Sequence, residues 1–323
     1  MFAILALTVA WATLALYLDM RTHWLGVSLA VALPVVVTVV LLTVRSRVLA
    51  LAACFGLFAA VLAWWLTLSP PNDSAWQADV AQTPWAEVNG DKVTLHSFRN
   101  FDYVTETNYR PDWETHTVDL AQLQGVDLFM NYWGSPAIAH TILSFSFANS
   151  LPVAISIETR KQVGQTYSAF LGFFRQFALV YIIGDERDIV RVRTNYRQGE
   201  DLYLYHTRIT SARARNIFLD YLKSANELHT NPQWYNALTS NCTVDIIPHL
   251  EVMGTKFAWD WRVLLNGYAD RMAYDRGRLT DDGLPFDELK RRAHINDAAK
   301  AADQAPDFSR RIRIGRPGFA ANN

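Results

Sequence analysis

The stretch IAHTILSFSF (138–147), followed after ANSL (148–151) by PVAISIE (152–158), sets the terms for the fold. Both ends alternate with a period of two, as strands do, and Asn149 and Ser150 between them suit a turn. The pair reads as a β-hairpin. If its centre is Asn149, Glu158 lies directly across from His140, with Cβ atoms about 5 Å apart on one face. A slip of one residue would send the two side chains to opposite faces. His140 interrupts an apolar strand, which suits either a hydrogen-bonded core histidine or a catalytic base. A carboxylate facing it fits an oriented imidazole. The plainer alternative for Glu158 is a strand-end surface carboxylate paired with Arg160 or Lys161.

Outward from the hairpin, KVTLHSF (92–98), VDLFMNYW (126–133), 177–183, 189–194 and 202–209 read as further strands. The charged turn GDER (184–187) separates 177–183 from 189–194, and Arg191 and Arg193 alternate along the latter, which predicts a solvated face. Thr210 caps a helix running to about Leu228, with Ile217, Phe218, Tyr221, Leu222, Ala225 and Leu228 at helical spacing. A second helical zone is expected from Cys242, interrupted at Pro248, and another over 287–301. The tail GRPGFAANN (315–323) is expected to be poorly ordered. Strands followed by helices, without regular alternation, indicate an α+β fold.

The charges divide the chain in two. Of 61 charged residues in 323, only Asp19, Arg21, Arg45 and Arg47 fall in residues 1–70. There, three apolar runs of 17, 20 and 21 residues (2–18, 25–44 and 48–68) match the roughly 20 residues of helix that span a bilayer. Pro34 is tolerated in such a helix, and Trp24, Trp64 and Trp65 near run ends suit the interface. The first run lacks a basic leader and a small-x-small cleavage site, which argues against a removed signal peptide. The expected organisation is three transmembrane helices (1–70), an extracytoplasmic domain (71–284) and a C-terminal helix and tail (285–323). Arg45 and Arg47 place the second connector in the cytoplasm; three full spans are read as leaving the N-terminus outside.

A net charge of −1 excludes a generally basic nucleic-acid binder. Two cysteines make no disulfide framework. No H-E-x-x-H, close Cys/His set or G-x-S-x-G elbow supports a metal site or a serine hydrolase, and no cofactor is expected. Cys242, the lone cysteine of the soluble part, sits in SNCT ahead of a helical run. A first-turn position there favours thiolate; the alternative is an inert buried thiol. A nucleophilic thiol needs a base and an orienting group. His140 and Glu158 supply that pattern. Arg160 and Arg175 are candidate contacts for a phosphate headgroup, against the commoner role of surface charges.

The runs FRNFDY (98–103), NYWGSPAIAHT (131–141), AISIETRK (154–161), GFFRQ (172–176) and YNALTSNCT (235–243) together resemble the periplasmic domain at the N-terminus of Lnb-type bacterial proteins. The resemblance covers roughly residues 80–280. Members include a lipoprotein N-acyltransferase acting through a Cys–His pair. The order His…Glu…Cys also resembles circularly permuted NlpC-type papain folds. The resemblance implies a papain-like antiparallel sheet with helices, Cys242 as nucleophile and His140 as base. Glu158 as third member comes from register and the permuted pattern, and Tyr235 and Asn241 join the candidate substrate contacts. The expected function is a membrane-anchored cysteine acyltransferase in the bacterial inner membrane, multi-pass, with its domain in the periplasm. It would move an acyl chain from a phospholipid to an amine such as a lipoprotein N-terminus. Three preceding helices depart from the arrangement common among acyltransferase members. An NlpC-like peptidase or amidase, a lipid hydrolase, and a non-catalytic membrane-anchored binding domain are the alternatives.

Protease added to intact spheroplasts should therefore digest residues 71–323; full protection of that region would refute the orientation.

Overall fold

The computed structural model describes residues 2–71, 73–239, 243–252 and 258–319. Contacts divide the chain into two compact units. One comprises residues 1–73, 165–178 and 232–237, and the other 74–164, 179–231 and 238–323.

The first unit contains α1 (Phe2–Asp19), α2 (His23–Thr43) and α3 (Arg47–Leu66). All three are long and apolar enough to cross a membrane. Leu5, Ala12, Leu16, Ala30, Leu33, Val37 and Cys54 form their shared core. Small residues at the contacts let the helices approach closely. Asp19 ends α1 as a buried carboxylate, satisfied by three donors: Trp65 Nε1 at 2.7 Å, Gln176 Nε2 at 2.7 Å and the Arg175 N–H at 3.1 Å. The Arg175 guanidinium stacks 4.0 Å over Trp65, and Trp234 Nε1 donates to the Leu68 carbonyl at 2.8 Å. Thus the Trp65 end of α3 meets the Asp19 end of α1. Successive spans alternate direction, so the Phe2 end of α1 lies on the same side as the Arg45–Arg47 connector. This corrects the expectation that three full spans separate the two.

The second unit is α+β. Its sheet contains β1 (Trp85–Asn89), β2 (Lys92–Arg99), β5 (Trp113–Asp119), β6 (Leu123–Trp133), β7 (Ala139–Phe147), β8 (Val153–Arg160), β9 (Ala178–Asp185) and β10 (Glu200–His206). The short pair β3 (Asp102–Tyr103) and β4 (Tyr109–Arg110) stands apart. The order is β1-β2-β9-β8-β7-β6-β10, with β5 on β2. β1 on β2, β5 on β2, β10 on β6, β6 on β7 and β7 on β8 are antiparallel, while β2 meets β9 in parallel, Arg99 against Gly184.

Both faces of the sheet are covered, so its central strands are buried on each side. On one face α5 (Ser211–Thr230), capped by the Thr210 hydroxyl, sets Phe218 4.9 Å from the Phe145 ring. On the other, Ile142, Ala154, Val180 and Leu204 share a core with Ile295, Ala299, Phe308 and Ile312. These last come from α9 (Asn296–Ala301), α10 (Phe308–Arg311) and adjoining residues, which follow α6 (Ile246–Glu251), α7 (Ala269–Asp275) and α8 (Phe286–Ala293). The zone 287–301 is thus two helices rather than one. The tail is packed as far as Phe319, which lies against this core.

Residues 189–194 are not a strand. Asp185 caps α4 (Glu186–Ile189) by accepting from the Arg187 N–H, and a wide π-type turn, Val192–Tyr196, follows. Nor do Arg191 and Arg193 face solvent; they are 1% and 3% exposed. The local alternation is overridden by long-range pairing of buried charges. Arg99 holds Asp188 through two bonds of 2.8 Å. Arg313 reaches Glu186 at 2.6 Å and Asp127 at 2.8 Å, while Arg191 reaches Asp102 at 2.8 Å. Breaking one such pair costs about 3–5 kcal/mol, because a buried charge is left alone.

Burial pushes the Asp185 carboxyl up to about 6. The folded state therefore favours the protonated acid, and the stability tied to this group is lost as pH rises through about 6. Asp185→Asn keeps an acceptor for the Arg187 N–H. It should be more stable than the parent at pH 8, by up to about 3 kcal/mol, and melt at a higher temperature, with the difference closing near pH 4. Near-UV circular dichroism melts at both pH values test this; an equal difference at both would contradict it.

Candidate functional site

The register of the central hairpin decides the site. Ile142 pairs with Ser156, Leu143 with Ile155, Ser144 with Ala154 and Phe145 with Val153. This is the register centred on Asn149, and it puts His140 and Glu158 on one face. His140 Nε2 lies 2.6 Å from Ser156 Oγ and 3.2 Å from Glu158 Oε1. Ser156 donates to the same Glu158 oxygen at 2.7 Å. The Arg193 guanidinium, delivered by the π-type turn, also donates to it. Such turns are rare and often mark functional positions, because the extra residue re-aims a side chain.

Burial opposes ionisation of Glu158, but the charges of His140 and Arg193 outweigh it and hold the carboxyl well below its usual range. The imidazole thus faces a fixed negative charge, which suits a group that must become cationic and then give its proton back. On the other side, Asn131 of β6 pairs with His140 in register. Asn131 is 1% exposed, and its Nδ2 donates to Glu200 at 2.6 Å. The polar row therefore crosses three strands, β6, β7 and β8.

Cys242 and Asn241 lie outside the described residues. The helix described after them, α6, starts at Ile246, with 243–245 in turns. Thr243, which follows Cys242 in the chain, is buried. Its hydroxyl lies 3.2 Å from that of Thr141, which follows His140.

The other candidates lie elsewhere. Arg160 is buried, donates to the Val80 and Ala81 carbonyls at 3.0 and 2.7 Å, and stacks 4.2 Å from Trp76. Its burial brings it down to about 10. Arg175 and Tyr235 belong to the unit of the apolar helices, where Tyr235 OH is 3.5 Å from Tyr167 OH.

Sequence reading missed Arg193, which looked like strand surface, and Ser156, which looked like ordinary alternation. It also missed a second histidine cluster. His249 Nδ1 lies 2.6 Å from Asp220 and Nε2 lies 3.0 Å from Tyr181 OH, with the ring stacked 3.8 Å from Tyr221. Burial lowers its basicity. Both nitrogens are engaged, so His249 ties α6 to α5 and β9. Only the His-to-Asp pairing across 29 residues could have revealed it, and no local pattern signals such a distance. Among the described residues, no three His, Cys, Asp or Glu side chains gather as a metal-ligand set.

Residues 109–267, just under half of the chain, match the family described as the Lnb N-terminal periplasmic domain. The match runs from β4 to the segment after α6 and includes His140, Ser156, Glu158, Arg193 and position 242. No curated protein and no solved structure matches the chain. The chain thus combines three helices capable of crossing a membrane with a periplasmic-type domain.

Glu158→Gln should destabilise the protein by about 3 kcal/mol at pH 7, because the buried Arg193 loses its counter-charge. Glu158 has a depressed pKa, so its contribution is present above the ordinary carboxylate range near 4.3 and lost as pH falls through the lower folded value. Urea unfolding of parent and variant at pH 7 and pH 3 should show the gap narrowing in acid. A gap independent of pH would contradict the pairing.

Proposed function

We propose that this chain is a membrane-anchored periplasmic cysteine acyltransferase, with Cys242 as nucleophile, His140 as base and Glu158 as the orienting group. The observation that carries the reading is the His140–Ser156–Glu158–Arg193 cluster within a domain of the Lnb N-terminal family. A carboxylate kept ionised beside an imidazole stabilises imidazolium. The chain order His…Glu…Cys supports a permuted, papain-like arrangement.

In the reaction, His140 takes the thiol proton and the Cys242 thiolate attacks the ester carbonyl of a phospholipid. The tetrahedral oxyanion, held by backbone N–H groups at Cys242, collapses with cleavage of the C–O bond. The imidazolium protonates the departing alkoxide, which leaves as lysophospholipid, and the acyl chain remains as a thioester. An incoming amine attacks that carbonyl; His140 takes its proton, the C–S bond breaks, and the thiol is restored as an amide departs. A lipoprotein N-terminus fits the acceptor.

Lipid as donor is supported by the apolar anchor and by an exposed apolar segment, in which Trp259, Trp261, Leu264 and Leu265 are all 45% exposed or more. Trp and Leu side chains of this kind favour a membrane interface. Arg175, stacked on Trp65 with its Nε lacking a hydrogen-bond partner, is the proposed headgroup contact, and Tyr235 and Asn241 are further proposed substrate contacts. Arg160, committed to two carbonyls, serves this reading only as a support for β8. The orientation that goes with it has the Arg45–Arg47 connector in the cytoplasm and residues 71–323 in the periplasm of the inner membrane.

Cys242→Ala and His140→Ala should each remove nearly all turnover, since members of such a unit are not additive. Mass spectrometry of the parent incubated with phospholipid vesicles should find an acyl group on Cys242 that hydroxylamine releases. Unchanged turnover in folded Cys242→Ala would end the thiol mechanism.

A further inference from the structure

The segment that follows residue 258 does more than expose apolar side chains. Its inner side touches both halves of the proposed site. Asn266 Oδ1 accepts the Ala139 N–H at 2.9 Å, one residue before His140. Asn266 Nδ2 donates to Thr243 Oγ1 at 3.0 Å, one residue after Cys242. The next residue, Gly267, donates its N–H to the Ala137 carbonyl at 3.0 Å and accepts from Tyr132 OH at 2.8 Å. A Cβ at Gly267 would lie 2.2 Å from the Pro136 carbonyl oxygen and 2.5 Å from the Ala137 carbonyl carbon. Backbone lies on backbone here, and only glycine permits it.

We infer that Asn266 is a positioning residue, a bracket that sets the spacing between the His140 strand and the Cys242 segment. This rests on the acyl-transfer reading and adds a residue to it. An amide is the side chain suited to the task, because it accepts from one chain segment and donates to the other through a single rigid plane. The strand end and the residue after the nucleophile are far apart in sequence, and Asn266 joins them beside the 3.2 Å contact of the Thr141 and Thr243 hydroxyls. Without the bracket, sulfur and imidazole lose their relative placement, and a misplacement of about 1 Å costs about 100-fold in rate.

The test uses the full chain in lipid nanodiscs and reads Cys242 alkylation by iodoacetamide against pH, through peptide mass spectrometry, alongside acyl-transfer kinetics. In the parent, Cys242 should react with a midpoint well below the ordinary thiol value of about 8.5. Asn266→Ala should move that midpoint up towards 8.5 and lower kcat by about 100-fold with KM for the lipid little changed. Thr243→Val should do the same from the other end, and Thr243→Ser, which keeps the hydroxyl, should restore the low midpoint. The double variant Asn266→Ala/Thr243→Val should lose less than the two single losses combined, because one bond is shared while Asn266 also holds the Ala139 N–H and Thr243 also meets Thr141. A low parental midpoint that neither single variant shifts overturns the bracket and leaves the thiol–imidazole reading standing. An ordinary midpoint in the parent overturns the thiol–imidazole reading and the bracket with it.

Discussion

A half-buried carboxylate held by three donors organises the centre of this molecule. Glu158 sits on a strand covered on both faces, where an unpaired charge would be strongly unfavourable. Ser156, the His140 ring and Arg193 each meet the same oxygen. The donors come from β8 itself, from β7 and from the π-type turn after α4. The hairpin register, the end of α4 and the packing behind it must therefore be right together. The chemistry proposed for His140 draws on the same arrangement, since the charge that stabilises the fold also orients the ring.

The same rule recurs along the acidic run that closes β9. Asp188 accepts from Arg99, from the Phe101 N–H and from Tyr103 OH. Glu186 accepts from Ser144 and Arg313. Each carboxylate recruits a cation from a distant part of the chain, and Arg313 comes from near the C-terminus. These pairs are costly to break singly, and they require that the last helices cover one face of the sheet. In this way 308–319 becomes part of the core instead of a loose end.

In the other unit, Asp19 does comparable work for the apolar helices. Three donors from Trp65, Arg175 and Gln176 converge on it. A carboxylate at the end of an apolar helix needs partners, and the loop 165–178 supplies two of the three. The helices are thereby joined to a segment that lies between β8 and β9 in sequence.

Much of this was legible in the sequence, for a local reason. Helix and strand periodicities, apolar run lengths and the Thr210 cap depend on neighbours in the chain, so the anchor, the hairpin and α5 could be read directly. Even the facing of His140 and Glu158 followed from a short turn and a period of two. What tertiary structure decided were the distant partners. Arg191 and Arg193 look like solvated alternation until Asp102, Asp303 and Glu158 are brought to them. Ser156 links His140 to Glu158 only once the two strands pair. Asn266 becomes a bracket only because Gly267 lets two backbones touch. Local patterns report which side chains want burial; which charge meets which depends on chain closure, and a single linear sequence carries no local signal for that.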